Sequence, residues 1–476
     1  MNVSALAKQL RSELGNEAVL RRPEDLMLYE YDAGLAKGTP DIVVLPQTTE
    51  QVSTIVRLAA QAGVAIVARG AGTGLSGGSV PRQGGIVVVF SRMRKILEIN
   101  VDNRRAVVQP GVVNLELSQA VAKHGLYFAP DPSSQRASTI GGNVAENSGG
   151  PHTLAYGVTV NHVTGLEVVL ADGRVAHFGG KAIGHAGYDL TGFFVGTEGT
   201  VGIVTAITVK LSRLPERIAT LLAIFQIADD AANTVTALTA AGITPSALEM
   251  LDGWTLRAVE AATHAGYPLD CGAVLLIEVE GLHEEVEEQS EAIARVCQAN
   301  RAREVRRAKD ERERQLLWIG RKNAFAAIGR LAPSYYTQDG VVPRTKIAEV
   351  LHFIEGIADK YQMKICNIFH AGDGNLHPAI LFDLRDPRQV EQVHAAGREI
   401  LTRCVELGGT LTGEHGIGME KNELMPVLFN DDDLEVMARL RNAFNPQGLF
   451  NPQKIFPAPR GCREGVMSQH PVEVAR

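Results

Sequence analysis

The sequence predicts an α+β fold in two domains, and three features of its 476 residues carry that expectation. The length exceeds what one hydrophobic core ordinarily organises. Up to about residue 215, a strand–helix–strand unit gives way to short strands and turns. Beyond Leu214-Pro215, longer apolar strands alternate with helices. The expected boundaries are therefore 1–215, 216–457 and a loosely held tail over 458–476.

Taken in order, MNVSALAKQLRSEL reads as a short amphipathic helix, because charges interrupt every apolar run and exclude a secretion signal. DIVVLPQTTEQVSTIVRLAAQAGVAIVARG is strand, helix, strand: Thr48 and Gln51 make a capping box, Val52, Ile55, Val56, Ala59 and Ala60 form one apolar face, and Gly63 ends it. RRAVVQPGV, HVTGLEVVLADGRVAHF with its Asp172-Gly173 turn, and TVGIVTAITVKL alternate as β-strands. In the second half, IATLLAIFQI and GAVLLIEVEG are strands, while DDAANTVTALTAAG and HEEVEEQSEAIARVCQANRA are helices. The charged run from Glu284 to Arg314 reads as a solvated helical face, and no internal repeat is apparent.

Composition narrows the class. With 45% hydrophobic residues, 21% charged residues and a net charge of -7, the chain is globular and is not expected to bind nucleic acid. Runs such as IVVVF and AVLLI are too short to span a bilayer. Cys271, Cys297, Cys366, Cys404 and Cys462 include no C-x-x-C pair, which excludes a ferredoxin-type cluster and a disulfide framework and points to a cytoplasmic location. The 48 glycines are the larger bias, and many gather in a few loops where backbone must approach something closely.

The first such loop, RGAGTGLSGGSVP, holds a literal G-x-G-x-x-G at Gly72, Gly74 and Gly77. A Rossmann reading fails because the motif should open a helix, whereas Gly78 and Pro81 follow it. What survives is a nest of backbone N–H groups for an anion, with pyrophosphate as the expected occupant. PDPSSQRASTIGGNVAENSGG and GTEGTVGIVT are two further loops of small residues, so the three together suggest a long, thin ligand threaded along the backbone.

RGAGTGLSGG, PDPSS, TIGGNVAENSGG and GTEGTVGIVT together resemble the FAD-binding domain of vanillyl-alcohol-oxidase-type flavoproteins. The second half resembles the C-terminal domain of FAD-linked D-2-hydroxyacid dehydrogenases, among them glycolate oxidase flavin subunits and D-lactate dehydrogenases. The resemblance runs from about residue 20 to 457 with its motifs in order. It implies a two-part FAD-binding domain (PCMH/VAO type) and a ferredoxin-like antiparallel-sheet substrate domain with a helical C-terminal segment. Carried over by position, Arg69, Gly70, Ala71, Gly72, Thr73, Gly74, Leu75, Ser76 and Gly77, with Pro130, Asp131 and Ser133, would wrap the pyrophosphate and ribose. Thr139, Gly141, Gly142, Asn143, Asn147, Ser148, Tyr156 and Gly157 would line the rest of FAD, with Asn451 alongside. Glu198, Gly202 and Val204 would meet the adenine end, largely through main chain. The first loop holds no histidine, so FAD is expected to be non-covalent.

NIFHAGDGNLHPAI sets His370 and His377 around a Gly-Asp-Gly-Asn core. Gly372 and Gly374 argue against a helix, so the reading is strand, turn, strand, with the imidazoles brought back across the hairpin. The residues alone leave open a satisfied polar turn or a ligand-holding pair. In GGTLTGEHGIG, glycines free the backbone so that adjacent Glu414 and His415 can serve one cavity. The resemblance assigns His370, His377 and Glu414 as ligands to a divalent metal (Zn, Mn or Fe), a set that chemistry permits. It assigns His415 as the catalytic base and Arg321, in LWIGRKNAF, as the residue holding a substrate carboxylate. Asp373 and Asn375 would shape the turn or orient the ligands.

The expected reaction is FAD-dependent oxidation of a small D-2-hydroxy acid, glycolate or D-lactate, to the 2-oxo acid. Relatives handling dicarboxylic acids carry polar residues where Ala379 and Thr337 stand, which disfavours 2-hydroxyglutarate. Electrons would leave to an iron–sulfur partner subunit or a quinone, placing the chain in the cytoplasm or at the inner face of a membrane through that partner. The competing classes are a metallohydrolase and a non-catalytic flavin-binding subunit.

Overall fold

The computed structural model describes residues 3–182, 184 and 186–457, so the expected tail and Cys462 lie outside the described residues. Helix Val3–Leu14 buries Leu6, Ala7 and Leu10 in the same core as helix Thr49–Ala62. Strands β1 (Val19–Leu20), β2 (Ile42–Val44), β3 (Ile66–Arg69) and β4 (Ile86–Val89) form a sheet in the order β1-β2-β4-β3, parallel except at the β1 edge. Helix Thr49–Ala62 crosses from β2 to β3. Thr48 Oγ1 accepts from Gln51 N at 3.3 Å, and Gly63 closes the helix at φ 64°.

A second, antiparallel sheet follows. It comprises β5 (Ile96–Asn100) and β6 (Arg105–Val108), then, after the short β7 (Leu126–Tyr127), β8 (Val163–Val169), β9 (Val175–Gly179) and β10 (Ile203–Lys210). Their order is β5-β6-β10-β8-β9, and β7 pairs instead with β11 (Ser212–Arg213). The two sheets are the two parts of the first unit, and the glycine loops leave from their ends.

Past Pro215 every strand joins one seven-stranded antiparallel sheet. It contains β12 (Arg217–Phe225), β13 (Ala247–Asp252), β14 (Ala273–Gly281), β15 (Glu304–Arg307), β16 (Ser334–Thr337), β17 (Ile365–His370) and β18 (Asn375–Phe382). The order is β15-β12-β14-β13-β17-β18-β16. With helices Ala228–Ala240 and His283–Ala299, β12 to β15 trace the β-α-β-β-α-β path of a ferredoxin-like unit, in spatial order fourth, first, third, second. Strands β16 to β18, with helices Ile347–Tyr361 and Pro387–Glu406, retrace that path up to its last strand, where a single bridge between Val341 and Thr410 stands. The half-units meet at β13–β17, so the second unit contains a repeat of topology that its sequence does not show. The apolar demands of a strand or helix are met by many residue choices, so repeated topology leaves little trace in letters.

The four helices of these half-units cover one face of the sheet, and helices Gly253–Thr263, Glu311–Lys322 and Ala324–Ile328 cover the other. The charged run is not one helical face. Its helix stops at Ala299, β15 follows, and Glu311 opens another helix. Strand alternation matters most for the site: Leu248 and Met250 point into the four-helix core, so Glu249 between them points to the opposite face. Continuing the Met250–Phe369 register by one rung sets Glu249 beside His370, and His377 lies on the adjoining strand. At the end of the described chain, Phe450 bridges to Ile66 and is buried in the first sheet's core. Among the described residues, no helix is long and apolar enough to cross a membrane.

Candidate active site

The three glycine loops converge on one elongated cleft holding about 1460 Å³ of empty space, its open mouth included. Arg69, Gly70, Ala71, Gly72, Thr73, Gly74 and Leu75 line it on one side. Ser133, Thr139, Gly141, Gly142, Asn143 and Ser148 line it too, as do Gly202, Val204 and Glu198, the last standing against the GEHGIG loop. The two walls approach closely: a Cβ on Gly70 would stand 2.4 Å from Thr139 Oγ1, so only glycine leaves the cleft its shape. Where the glycine loops form it, the wall is therefore backbone, hydroxyls and small side chains, which suits FAD, while Phe90, Phe194, Glu146 and Glu198 line other parts of the cleft.

Other expected FAD residues stand behind that surface. Asn451 Nδ2 donates to Gly78 O at 2.8 Å and to Glu198 O at 2.6 Å, tying the first loop to the third. Ser76 O accepts from Met419 N at 2.8 Å, and a Cβ on Gly77 would rest against Ala36 and Met419, so both residues back the loop. Asn147, at φ 55°, ends helix Ile140–Glu146, and its Oδ1 accepts from Val160 N at 2.9 Å. Pro130 O accepts from Asn114 Nδ2 at 2.9 Å. Gly157 follows Tyr156 at φ 78° and ends a short helix.

Asp131 and Tyr156 belong to the seam between the two units. Asp131 Oδ2 lies 2.9 Å from His152 Nδ1, and His152 Nε2 lies 3.3 Å from Glu278 Oε1 on β14. Tyr156 donates to Glu280, while Glu278 Oε2 also accepts from Trp318 Nε1 at 2.5 Å and Arg314 Nη1 at 3.2 Å. Burial works against charge on His152, but Asp131 and Glu278 outweigh it and hold its pKa well above the ordinary value.

The four residues expected from the second half meet at one spot. His370 Nε2 is 3.2 Å from Glu414 Oε1, and His377 Nε2 is 3.5 Å from the same oxygen. The His370 and His377 rings sit edge to face at 5.1 Å, and His415 stacks on His377 at 4.9 Å. His377, Glu414 and His415 line the inner end of the glycine-loop cleft together with Phe325. Neither ring nitrogen of buried His377 has a hydrogen-bond partner; the contact at 3.5 Å and another to Asp339 Oδ1 at 3.4 Å miss hydrogen-bond geometry. A buried imidazole with both nitrogens idle costs free energy, and a cation at Nε2 would remove the part of that cost that falls on Nε2. His370 is oriented as a ligand would be: its Nδ1 faces Glu249 at 2.8 and 2.9 Å, which leaves Nε2 for the cavity. Burial disfavours charge on His370, yet Glu249 and Glu414 hold it up at about 10. A divalent cation would displace that proton. The donor set thus suits a metal.

Arg321 sits behind this cluster and does not reach the cleft wall. Its guanidinium is 1% exposed, with Nη2 2.5 Å from Glu249 Oε2 and 3.3 Å from His370 Nδ1, while its Nε has no hydrogen-bond partner. His415 is pulled down to about 4, chiefly by burial, and is therefore uncharged at neutral pH. Asp373 closes the hairpin by accepting from Asn375 N at 3.2 Å.

Two positioning groups, Asp339 and Glu249, were missed from sequence, and a third, Glu198, was expected only at the adenine end of FAD. Asp339, fully buried, is the acceptor around which GGTLTGEHGIG folds: it accepts from Gly413 N at 3.2 Å, Glu414 N at 3.2 Å, His415 N at 2.9 Å, Asn375 Nδ2 at 2.9 Å and Lys421 Nζ at 3.1 Å. Burial would push its carboxyl up, but the neighbouring His415, Lys421 and His377 hold it well below the usual range. Glu198 reaches across from the FAD-side loop to accept from Ile417 N at 2.7 Å and Gly418 N at 2.8 Å, joining both halves of the site. Glu249 was legible as an acid between apolar neighbours in the strand ALEMLD; Asp339, in YYTQDGVV, had only a turn-like context.

Residues 40–179 match the family of FAD binding domains, and residues 214–455 match the C-terminal domain of FAD linked oxidases. The glycolate oxidase subunit GlcD of Escherichia coli (strain K12) is 45% identical over 97% of this chain and 93% of its own length. The D-lactate dehydrogenase of Archaeoglobus fulgidus is 34% identical over 87% of this chain and 91% of its own. Among solved structures, p-cresol methylhydroxylase with substrate bound superposes with a TM-score of 0.80 over 95% of this chain and 96% of that one, at 18% identity. By both its domain matches and its near full-length relatives, this chain belongs to the FAD-linked oxidases and is an FAD-dependent oxidoreductase.

Proposed function

We propose that the protein oxidises a small D-2-hydroxy acid, glycolate or D-lactate, to the 2-oxo acid. The observation that carries this reading is that His377, Glu414 and His415 close the inner end of the FAD cleft, with His370 grouped on Glu414 and His377 behind them. When bound, FAD supplies the acceptor for the α C–H electron pair. A divalent metal on His370, His377 and Glu414 supplies a Lewis acid that makes the substrate hydroxyl more acidic. His415, uncharged and facing the cleft, takes the hydroxyl proton, while the Glu249–His370 contact and the Asp339 hydrogen bonds keep the ligand set in place. Arg321, buried on Glu249 behind the ligand set, is proposed to orient Glu249 and His370 instead of holding the substrate carboxylate.

FAD is held non-covalently, consistent with a first loop free of histidine and cysteine. The preference for a monocarboxylic acid is supported by Thr337 and Ala379, which are register partners on β16 and β18 and put no cation two residues beyond His377. Electrons leave through a partner iron–sulfur subunit or a quinone, in the cytoplasm or at a membrane surface reached through that partner. The protein divides near residue 215 into FAD and substrate units. Anaerobic mixing with glycolate or D-lactate should bleach the flavin, and a chelator should abolish the bleaching. A colourless active protein would indicate a hydrolase instead, and a yellow protein that no 2-hydroxy acid reduces would indicate a non-catalytic subunit.

A further inference from the structure

Helix Ile140–Glu146 ends in a carboxylic acid that the chemistry above does not use. Glu146 lines the FAD cleft, wedged between the first glycine loop and the GEHGIG loop. A Cβ on Gly78 would meet its Oε1 at 2.4 Å, and a Cβ on Gly416 would meet its Oε2 at 2.3 Å and Glu198 Oε1 at 2.9 Å. The two carboxylates therefore meet beside Gly416, on the side that a Cβ would occupy. Their surroundings differ. Both oxygens of Glu198 accept backbone N–H groups, at 2.7 and 2.8 Å, whereas Glu146 Oε2 is buried with no hydrogen-bond partner. Like charges this close do not both persist away from water, and the member richer in donors keeps its charge. The other charged groups facing Glu146 are Asp32, which adds to the repulsion, and Lys421 and Lys454, which oppose it. Both lysines are already engaged, Lys421 Nζ with Asp339 at 3.1 Å and Lys454 Nζ with Val80 O at 2.7 Å.

We propose that Glu146 carries the single proton of a Glu146–Glu198 pair and presents a neutral carboxyl to FAD as a hydrogen-bonding and positioning group. The direction of its pKa agrees: burial first, and then Glu198, raise it well above the ordinary carboxyl value. A neutral group is what this wall needs, because an ionised carboxylate would repel the pyrophosphate of FAD and any negative charge that reduction places on the ring system. The pair also links the cofactor to the catalytic loop, since Glu198 holds Ile417 and Gly418 while Glu146 lines the cleft. The inference rests on FAD occupying this cleft, and purification of yellow wild-type protein tests that separately.

The test compares Glu146→Gln, a neutral isostere, with Glu146→Ala in the full-length holoprotein. Flavin fluorescence on dilution gives the FAD dissociation constant, and absorption spectra report the environment of the ring. Glu146→Gln should hold FAD within about threefold of wild type and keep the wild-type absorption bands. Glu146→Ala should lose about tenfold or more in affinity and shift the bands. The proposal is overturned if Glu146→Gln behaves like Glu146→Ala, because an ionised carboxylate is then required, or if Glu146→Ala binds FAD with wild-type affinity and spectrum. Circular dichroism shows that both variants are folded before either comparison is read.

Discussion

Replacing Asp339 by asparagine tests the internal logic of the catalytic loop. The carboxylate is fully buried and accepts from three consecutive backbone N–H groups, Asn375, Thr412 and Lys421. An amide of the same shape keeps one acceptor oxygen but turns an NH₂ group toward donors that need an acceptor. It also leaves the Lys421 ammonium, 1% exposed, without its countercharge. Breaking a buried ion pair from one side costs about 3–5 kcal/mol, and each hydrogen bond to a charged group contributes about 1.5–3 kcal/mol. A loss of about 3–5 kcal/mol is expected once partial relaxation is allowed for. Because two units share the chain, the measurement is urea unfolding followed by flavin release and by tryptophan fluorescence, without assuming a single transition. Activity should fall with stability, since Glu414 and His415 ride on the loop that Asp339 holds. Lys421→Met in the Asp339→Asn background should recover part of the loss, because the orphaned cation is removed. A single Asp339→Asn variant within about 1 kcal/mol of wild type, with full turnover, would refute the idea that this carboxylate organises the loop.

Four further outcomes follow from the same geometry. His415→Gln should lower kcat by about 10² to 10⁴ while FAD content and unfolding stay at wild-type values. Dialysis against a chelator should remove metal and turnover together in wild type, with recovery on adding zinc or manganese; His377→Ala should not recover, as read by metal analysis and rate. Gly416→Ala places a methyl group in left-handed backbone at φ 82° and against Glu146 and Glu198, so the variant should lose FAD and at least about 1–2 kcal/mol of stability. For the seam, His152 contributes fully below its unfolded value of 6.5, and that contribution is lost as pH rises through its raised folded value. Glu278, held at about 2, keeps its contribution above 4.5. The stability gap between wild type and His152→Gln should therefore be widest between pH 4.5 and 6.5 and should narrow in alkali.

Which parts of the site were readable depended on whether a residue's role was local. The hairpin around His370 and His377 announced itself because Gly372, Asp373 and Gly374 can hardly form anything else, and β17 and β18 are found as expected. The glycine loops were readable because small residues in series exclude most packed structures. Arg321 was harder. Its place on a helix predicts a surface ion pair, and only packing against β13 reveals that it is buried on Glu249. The division of the FAD residues between cleft wall and backing was likewise invisible, since Gly74 and Gly77 look alike in sequence.

Periodicity and turn chemistry determined the α+β class and the hairpin, because these depend on neighbours along the chain, and the order of the glycine motifs carried the resemblance that implied the metal, base and flavin residues. Tertiary structure alone decided that Glu249 backs His370, that Asp339 gathers the GEHGIG loop, and that Glu198 meets Glu146 beside Gly416. Those pairings join residues 50 to 270 positions apart, and no local preference of the backbone encodes which distant side chain will share a buried charge.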